Sequence, residues 1–243
     1  MLNEHTHLAP WQIRLETTTG WNLRHQVSQA LYPLVKQWLD ILISISLLIL
    51  LAPFILMIAI AIKLDSPGPV IYIQRRSGLG GRVFDFYKFR SMTNGHNHTE
   101  EHRQFAEAYI KGNASTDQQD TNGHTIYKPV SNGYTVTRVG QWLRRTSLDE
   151  LPQLINVIKG DMSLVGPRPS IDYEVALYNE RHWKRLAVLP GLTGWAQING
   201  RSRLSFDEIV DLDLEYIRKR SSLWDLQILL NTVTVVLSAE DAG

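Results

Sequence analysis

The stretch RRTSLDELPQLINVIKGDMSLVGPRP, residues 144–169, combines a charged start, a short apolar helix pattern and a proline-rich end. Asp149 and Glu150 are adjacent near its beginning. Ser147 and Glu150 have the spacing of a capping box, and leucine and isoleucine follow at helical spacing. Because proline is tolerated only in the first turn of a helix, Pro152 predicts a helix that begins near Asp149 or the leucine before it. Both acids then lie where free N–H groups and the helix dipole favour negative charge.

The loop after this helix reads GDMSLVGPRP and indicates a rigid turn. It places Arg168 between two prolines, which suits a cation that binds phosphate through two parallel hydrogen bonds. A capped helix with an acidic first turn is common in stable proteins, so the two acids alone assign no function. The acids and the arginine loop together favour phosphate chemistry.

The segment SLDELPQLINVIKGDMSLVGPRP resembles the signature of the bacterial sugar transferase family, the monotopic phosphoglycosyl transferases. Three further motifs extend the resemblance: KFRSM at residues 88–92, TRVGQWLRR at 137–145 and PGLTGWAQINGR at 190–201. Asp213 and Tyr216 also match a D-x-x-Y element of the family. Several long motifs in the right order are far more specific than a single glycine pattern.

This resemblance implies a reaction and roles for individual residues. Asp149 is expected to attack the sugar-linked phosphate of a UDP-sugar and release UMP, after which polyprenyl phosphate attacks the aspartyl phospho-sugar. Glu150 is expected to hold Mg²⁺, and Arg168 to bind phosphate. Four further cations complete the predicted phosphate-binding set: Lys88, Arg90, Arg145 and Arg75.

Composition limits the other classes of function. Lys and Arg total 25 against 24 Asp and Glu, so net charge gives no reason to expect a nucleic-acid partner. The chain has no cysteine, hence no disulfide framework and no thiolate metal site, which fits a reducing compartment.

Residues 41–62 form a long apolar run, and about 20 such residues suffice to cross a bilayer core. Basic residues flank it on both sides, for example Lys36 and Lys63, so the positive-inside rule does not assign the two ends to opposite sides. Pro53 lies in the middle and is expected to kink or break the helix. The family resemblance implies a re-entrant hairpin that enters and leaves through the cytoplasmic leaflet, while a true span stays open.

The remaining pattern predicts an α+β fold, helix-rich and membrane-associated, with a small β-hairpin. Strands are expected at residues 70–74 and 83–89 around a glycine bend. Helices are expected near residues 100–110, as one amphipathic helix over 172–188, and as an apolar helix over 224–237 that is too short to span.

We therefore divide the chain into a polar or interfacial segment (residues 1–37), a membrane helix (38–64) and a cytosolic catalytic domain (65–243). The expected location is the bacterial inner membrane, with a UDP-sugar, polyprenyl phosphate and the bilayer as partners. A non-catalytic scaffold of polysaccharide assembly and a metal-dependent diphosphate hydrolase are the alternatives. The sequence leaves open the sugar, the pathway and whether the protein forms a homo-oligomer.

Overall fold

The computed structural model describes residues 21–93, 99–113 and 136–238, and it is helix-rich with two small sheets in these ranges. The helices are α1 Trp21–Asp65, α2 Thr99–Ile110, α3 Arg138–Arg145, α4 Gln153–Ile158, α5 Asp172–Val175, α6 Glu180–Trp183, α7 Trp195–Ile198, α8 Phe206–Lys219 and α9 Ser222–Ser238. The strands are β1 Ile71–Ser77, β2 Val83–Phe89, β3 Ser163–Val165, β4 Ser170–Ile171 and β5 Gly191–Thr193. The expected α+β class is confirmed.

Helix α1 contains, at Tyr32–Asp65, the one described helix that is long and apolar enough to cross a membrane. Buried and half-buried positions recur along it every three or four residues, from Asp40 and Ser44 to Ile58 and Ile62. This stripe packs on the rest of the protein, whereas the opposite side is apolar and exposed, including Ile49, Leu50, Leu56, Met57 and Ile60. The exposed side has the character of a surface in contact with lipid.

Pro53 lies inside α1 and does not end it, since the helix continues on both sides. The re-entrant hairpin predicted around this proline is neither confirmed nor excluded by that continuity and stays a prediction. The described part of the predicted N-terminal segment, from Trp21, belongs to the same helix; residues 1–20 lie outside the described ranges.

Strands β1 and β2 form the predicted hairpin, with β1 continuing three residues beyond the expected end. The antiparallel register pairs Tyr72 with Lys88 and Arg76 with Phe84, so Lys88 and Arg76 share one face of the ribbon. Arg75 pairs with Asp85 on the other face. Strand β4 joins the free edge of β1, which brings the chain after Pro169 alongside the hairpin.

Strands β3 and β5 pair in parallel and bring two glycine-rich loops into backbone contact. A Cβ built on Gly191 would lie 2.1 Å from the Gly166 nitrogen, and one on Gly194 would lie 2.1 Å from the Gly166 oxygen. Only glycine allows this approach. The loop carrying Arg168 is therefore held against the loop that follows Pro190.

Two predicted helices are confirmed and two predictions are wrong. The helices expected near residues 100–110 and 224–237 are α2 and α9. The single amphipathic helix expected over 172–188 is instead three short pieces, α5, α6 and the 3₁₀ helix Lys184–Ala187, because Asn179 is extended and caps a new helix at His182. The capping box at Ser147 is also absent, because Ser147 adopts a left-handed backbone conformation and its side chain makes no capping hydrogen bond.

Candidate active site

The two predicted catalytic acids lie at a sharp corner between helices α3 and α4. Ser147 has φ 55° and ψ 17°, and among the described residues it is the only non-glycine with positive φ. In this left-handed conformation its side chain makes no capping hydrogen bond. Asp149 and Glu150 occupy the 3₁₀ helix that follows, Leu148–Glu150, and α4 begins only at Gln153. A strained residue beside paired acids is typical of functional sites.

Glu150 pairs with Arg168 across 18 residues of sequence. The Arg168 Nη2 donates to Glu150 Oε1 at 2.6 Å, and Nη1 lies 3.4 Å from Oε2. The Arg168 side chain keeps 42% of its surface exposed. The Arg168 loop is therefore joined to the acidic corner while its guanidinium still faces solvent.

Asp149 is half-buried, and its surroundings perturb its ionisation. Burial raises its pKa, the neighbouring Glu150 charge raises it further, and the net result is a pKa of about 6. Three cations oppose this shift: Lys88, Arg168 and Arg144. The carboxylate is thus mostly ionised at neutral pH yet poorly solvated, which suits a nucleophile.

Two cations on the hairpin face complete the arrangement. Burial lowers the pKa of Lys88, against the attraction of Asp149, which raises it. Arg76 donates to the Pro169 carbonyl at 2.7 Å and to Gln74 Oε1 at 2.9 Å, so it holds the end of the Arg168 loop. The sequence offered Arg75 and Arg76 together as basic residues and placed Arg75 in the phosphate-binding set; the register puts Arg76 on the Lys88 face.

The other predicted cations lie apart from this grouping. Arg90 is buried and its Nη2 donates to the Ser66 carbonyl at 2.6 Å and to Ser66 Oγ at 2.9 Å, just after α1 ends. Arg75 is exposed on the opposite face of the hairpin. Arg145 is exposed at the end of α3, and the preceding Arg144 is the arginine of that pair whose charge acts on Asp149. Phosphate binding by all three stays a prediction.

The carboxylates provide few ligands for a metal ion. In the ranges that the structure describes, no group of three or more His, Cys, Asp or Glu side chains could hold one. Mg²⁺ commonly binds through one or two carboxylates together with substrate phosphates and water. Glu150, together with substrate phosphates and water, would therefore suffice to hold a Mg²⁺ ion, and this assignment stays a prediction.

A buried polar network reaches the end of the Arg168 loop and accounts for the position of Asp213. The Arg185 Nε donates to Asp213 Oδ2 at 2.7 Å, and Arg185 Nη1 donates to the Tyr178 hydroxyl at 2.8 Å. Tyr178 in turn lies 2.5 Å from Ser170 Oγ, directly after Pro169. Asp213, which matched a family element, therefore forms a structural ion pair.

Comparison with known proteins gives a consistent result. The model of the family described as bacterial sugar transferase matches residues 31–239. An uncharacterized sugar transferase, EpsL, of Bacillus subtilis (strain 168) is 38% identical over 207 residues, covering 85% of this chain and 89% of that protein.

Two longer relatives carry more specific names. A UDP-glucose:undecaprenyl-phosphate glucose-1-phosphate transferase of Escherichia coli (strain K12) is 39% identical over 82% of this chain and 39% of its own length. A UDP-N-acetylgalactosamine-undecaprenyl-phosphate N-acetylgalactosaminephosphotransferase of Aeromonas hydrophila is 37% identical over 86% of this chain and 45% of its own length. This chain therefore spans less than half of each of these two proteins, and their names differ in the sugar.

Proposed function

The chain belongs to the bacterial sugar transferase family, and we propose that it transfers a sugar-1-phosphate from a UDP-sugar to polyprenyl phosphate, releasing UMP. The observation that carries this proposal is Asp149, a poorly solvated carboxylate with a pKa of about 6 among Lys88, Arg168 and Arg144. A carboxylate so placed is suited to attack phosphorus, since the cations offset the negative charge of a diphosphate. The reaction would supply the first lipid-linked sugar for exopolysaccharide, O-antigen or glycoprotein glycan assembly.

In the first step, an Asp149 oxygen attacks the sugar-linked phosphorus of the donor. The bond from this phosphorus to the bridging oxygen breaks, and UMP leaves with that oxygen and its electron pair. In the second step, a polyprenyl phosphate oxygen attacks the same phosphorus and displaces Asp149, giving polyprenyl-diphospho-sugar. Lys88 and Arg168 hold the phosphate oxygens and offset their negative charge while the bonds to phosphorus form and break.

Glu150 is the residue we assign to hold Mg²⁺, which when bound would neutralise part of the negative charge of the donor diphosphate. In the structure Glu150 is paired with Arg168 at 2.6 Å. Because donor phosphate would compete with Glu150 for the same guanidinium, donor binding would turn Arg168 toward phosphate.

We assign the exposed apolar side of α1 to the inner membrane, with the domain on the cytosolic face. Both ends of the membrane helix contact the same domain: Lys36 pairs with Asp225 at 2.8 Å, and Asp65 accepts from the Val139 N–H at 3.0 Å. These contacts support the re-entrant arrangement. A helix that crossed the bilayer would place its two ends on opposite sides, and only one end could then contact the domain. A lipid acceptor whose phosphate stays at headgroup depth would then meet the site without leaving the bilayer.

The direct test is UMP release by detergent-purified protein with Mg²⁺ from a panel of UDP-sugars, with and without undecaprenyl phosphate. Sustained release that needs the lipid and is lost in Asp149→Asn would support the transferase and identify the donor. Asp211→Asn is the matched control, since Asp211 is an exposed acid in a surface ion pair with Arg181.

Three outcomes would contradict the proposal. Full activity in Asp149→Asn would exclude Asp149 as the nucleophile. Sugar phosphate formed steadily without lipid would indicate the hydrolase instead, and absence of UMP release from every donor would favour the non-catalytic scaffold.

A further inference from the structure

A polar cluster lies where the N-terminal half of α1 meets α9 and β3. Lys36 Nζ lies 2.8 Å from Asp225 Oδ2 on α9 and 3.6 Å from Asp40 Oδ2 on α1 itself. The Lys36 side chain is 13% exposed and each carboxylate 10% exposed. One buried cation thus faces two buried carboxylates from two different elements.

Asp225 is linked through a tyrosine to strand β3. It accepts from the Tyr32 hydroxyl at 2.7 Å, and the Tyr216 hydroxyl lies 2.8 Å from its other oxygen. That same Tyr216 hydroxyl lies 3.0 Å from the Val165 carbonyl. Val165 ends β3, and Arg168 follows three residues later.

Asp40 reaches β3 directly. Its Oδ2 accepts from Ser163 Oγ at 2.6 Å and from the Leu164 N–H at 3.3 Å. Strand β3 is therefore linked to both carboxylates that Lys36 neutralises, directly to Asp40 and through Tyr216 to Asp225. Strand β3 and the short proline-containing loop after it therefore connect the membrane helix to Arg168.

We propose that Lys36 is a positioning residue that docks α1 onto β3 through Asp40 and Asp225, and thereby fixes Arg168 for the donor diphosphate. The inference rests on the proposed function for the role of Arg168. It adds that the membrane helix helps to assemble the active site as well as to hold the enzyme on the bilayer.

The charge balance gives the physical reason. Without Lys36, two carboxylates would remain buried near each other with no neutralising ammonium, and a buried unpaired charge is strongly unfavourable. Water entry or separation of α1 from β3 would relieve that cost. Either change loosens β3 and displaces Arg168, and a displacement of about 1 Å can cost on the order of a hundredfold in rate.

The kinetic test isolates the first half-reaction. UDP-sugar is mixed with enzyme without polyprenyl phosphate, and the burst of UMP release is timed for wild type, Lys36→Met and Lys36→Arg. We expect the burst to slow by about tenfold or more in Lys36→Met and to recover substantially in Lys36→Arg, whereas kcat/KM for the lipid, which reports only the second half-reaction, should stay unchanged. A helix that serves only as an anchor would instead lower kcat/KM for the lipid and leave the burst rate intact, which would overturn the proposal.

A second measurement follows docking without activity. The native chain has no cysteine, so spin labels can be placed by cysteine substitution at the exposed positions Ile43 and Lys159. We expect a narrow distance distribution in the wild-type background and a broad one with Lys36→Met. A narrow distribution with Lys36→Met would overturn the docking role even if wild type releases no UMP, a result that would separately refute the proposed function.

Two further variants keep the test decisive. Lys36→Met/Asp225→Asn removes one positive and one negative charge, so the cluster keeps its net charge, and it should recover part of the burst and of the narrow distribution. If Lys36→Met fails to fold, a double variant that folds would itself support the charge argument, and recovery of neither property would contradict it. Arg181→Met, which breaks an exposed ion pair with Asp207, should match wild type in both measurements.

Discussion

The buried ion pair between Arg185 and Asp213 gives a prediction whose size follows from the structure. Their side chains are 5% and 1% exposed and lie 2.7 Å apart. Replacing Asp213 by leucine leaves the arginine buried with no carboxylate, which costs about 3–5 kcal/mol. For a domain of this size each kcal/mol lowers the melting temperature by about 2–4 °C, so Asp213→Leu should melt about 6–20 °C lower.

The double variant Arg185→Met/Asp213→Leu separates charge from packing. Replacing both partners of a buried pair by apolar groups is often nearly neutral, so it should melt much closer to wild type than Asp213→Leu does. The remaining cost is the hydrogen bond from Arg185 to Tyr178, worth about 1 kcal/mol.

Tryptophan fluorescence during heating in detergent, at one heating rate for all variants, measures these differences. A double variant as unstable as the single one would refute the unpaired-charge argument and attribute the loss to packing. An Asp213→Leu variant that melts like wild type yet releases no UMP would show that Asp213 takes part in the chemistry.

Three further predictions concern the site and its scaffold. The proposed nucleophile Asp149 must be ionised to react and has a pKa of about 6, so kcat/KM for the donor should halve near pH 6 and fall about tenfold per unit below it; a limb near pH 4 would contradict this. Lys88 lowers the pKa of Asp149, so Lys88→Met should move the acid limb to higher pH in the same assay, and an unmoved limb would exclude the contact. A Cβ on Gly140 would lie 1.9 Å from the Ser91 oxygen, so Gly140→Ala should lower stability by about 1–3 kcal/mol in denaturant unfolding, and an unchanged midpoint would refute that clash.

The elements predictable from sequence were those set by local pattern. Alternation and the glycine bend predicted the hairpin, and an apolar run predicted α9. The predicted Ser147 cap is absent because the backbone of Ser147 is left-handed, a conformation that a serine in the sequence does not predict. The single helix expected over residues 172–188 does not form because Asn179 is extended and caps a new helix. Arg185 also turns inward to pair with Asp213.

The sequence located the acids and the arginine loop of the candidate site, but it did not predict which side chains contact one another there. Motif resemblance located Asp149, Glu150 and Arg168, yet their pairing depends on a corner and a loop 18 residues apart. The choice between Arg75 and Arg76 depends on strand register, which was not assigned from sequence. The Lys36 cluster depends on contacts over about 190 residues of sequence, which no local pattern encodes.

The most direct test of the proposed mechanism is the mass of the intact protein, rapidly quenched after mixing with the UDP-sugar identified by UMP release, in the absence of polyprenyl phosphate. The proposed mechanism predicts a mass increase of one sugar phosphate, which peptide mapping assigns to Asp149. This adduct should disappear when polyprenyl phosphate is supplied and should be absent in Asp149→Asn. Burst release of UMP with no such adduct, or an adduct that persists in Asp149→Asn, would contradict it.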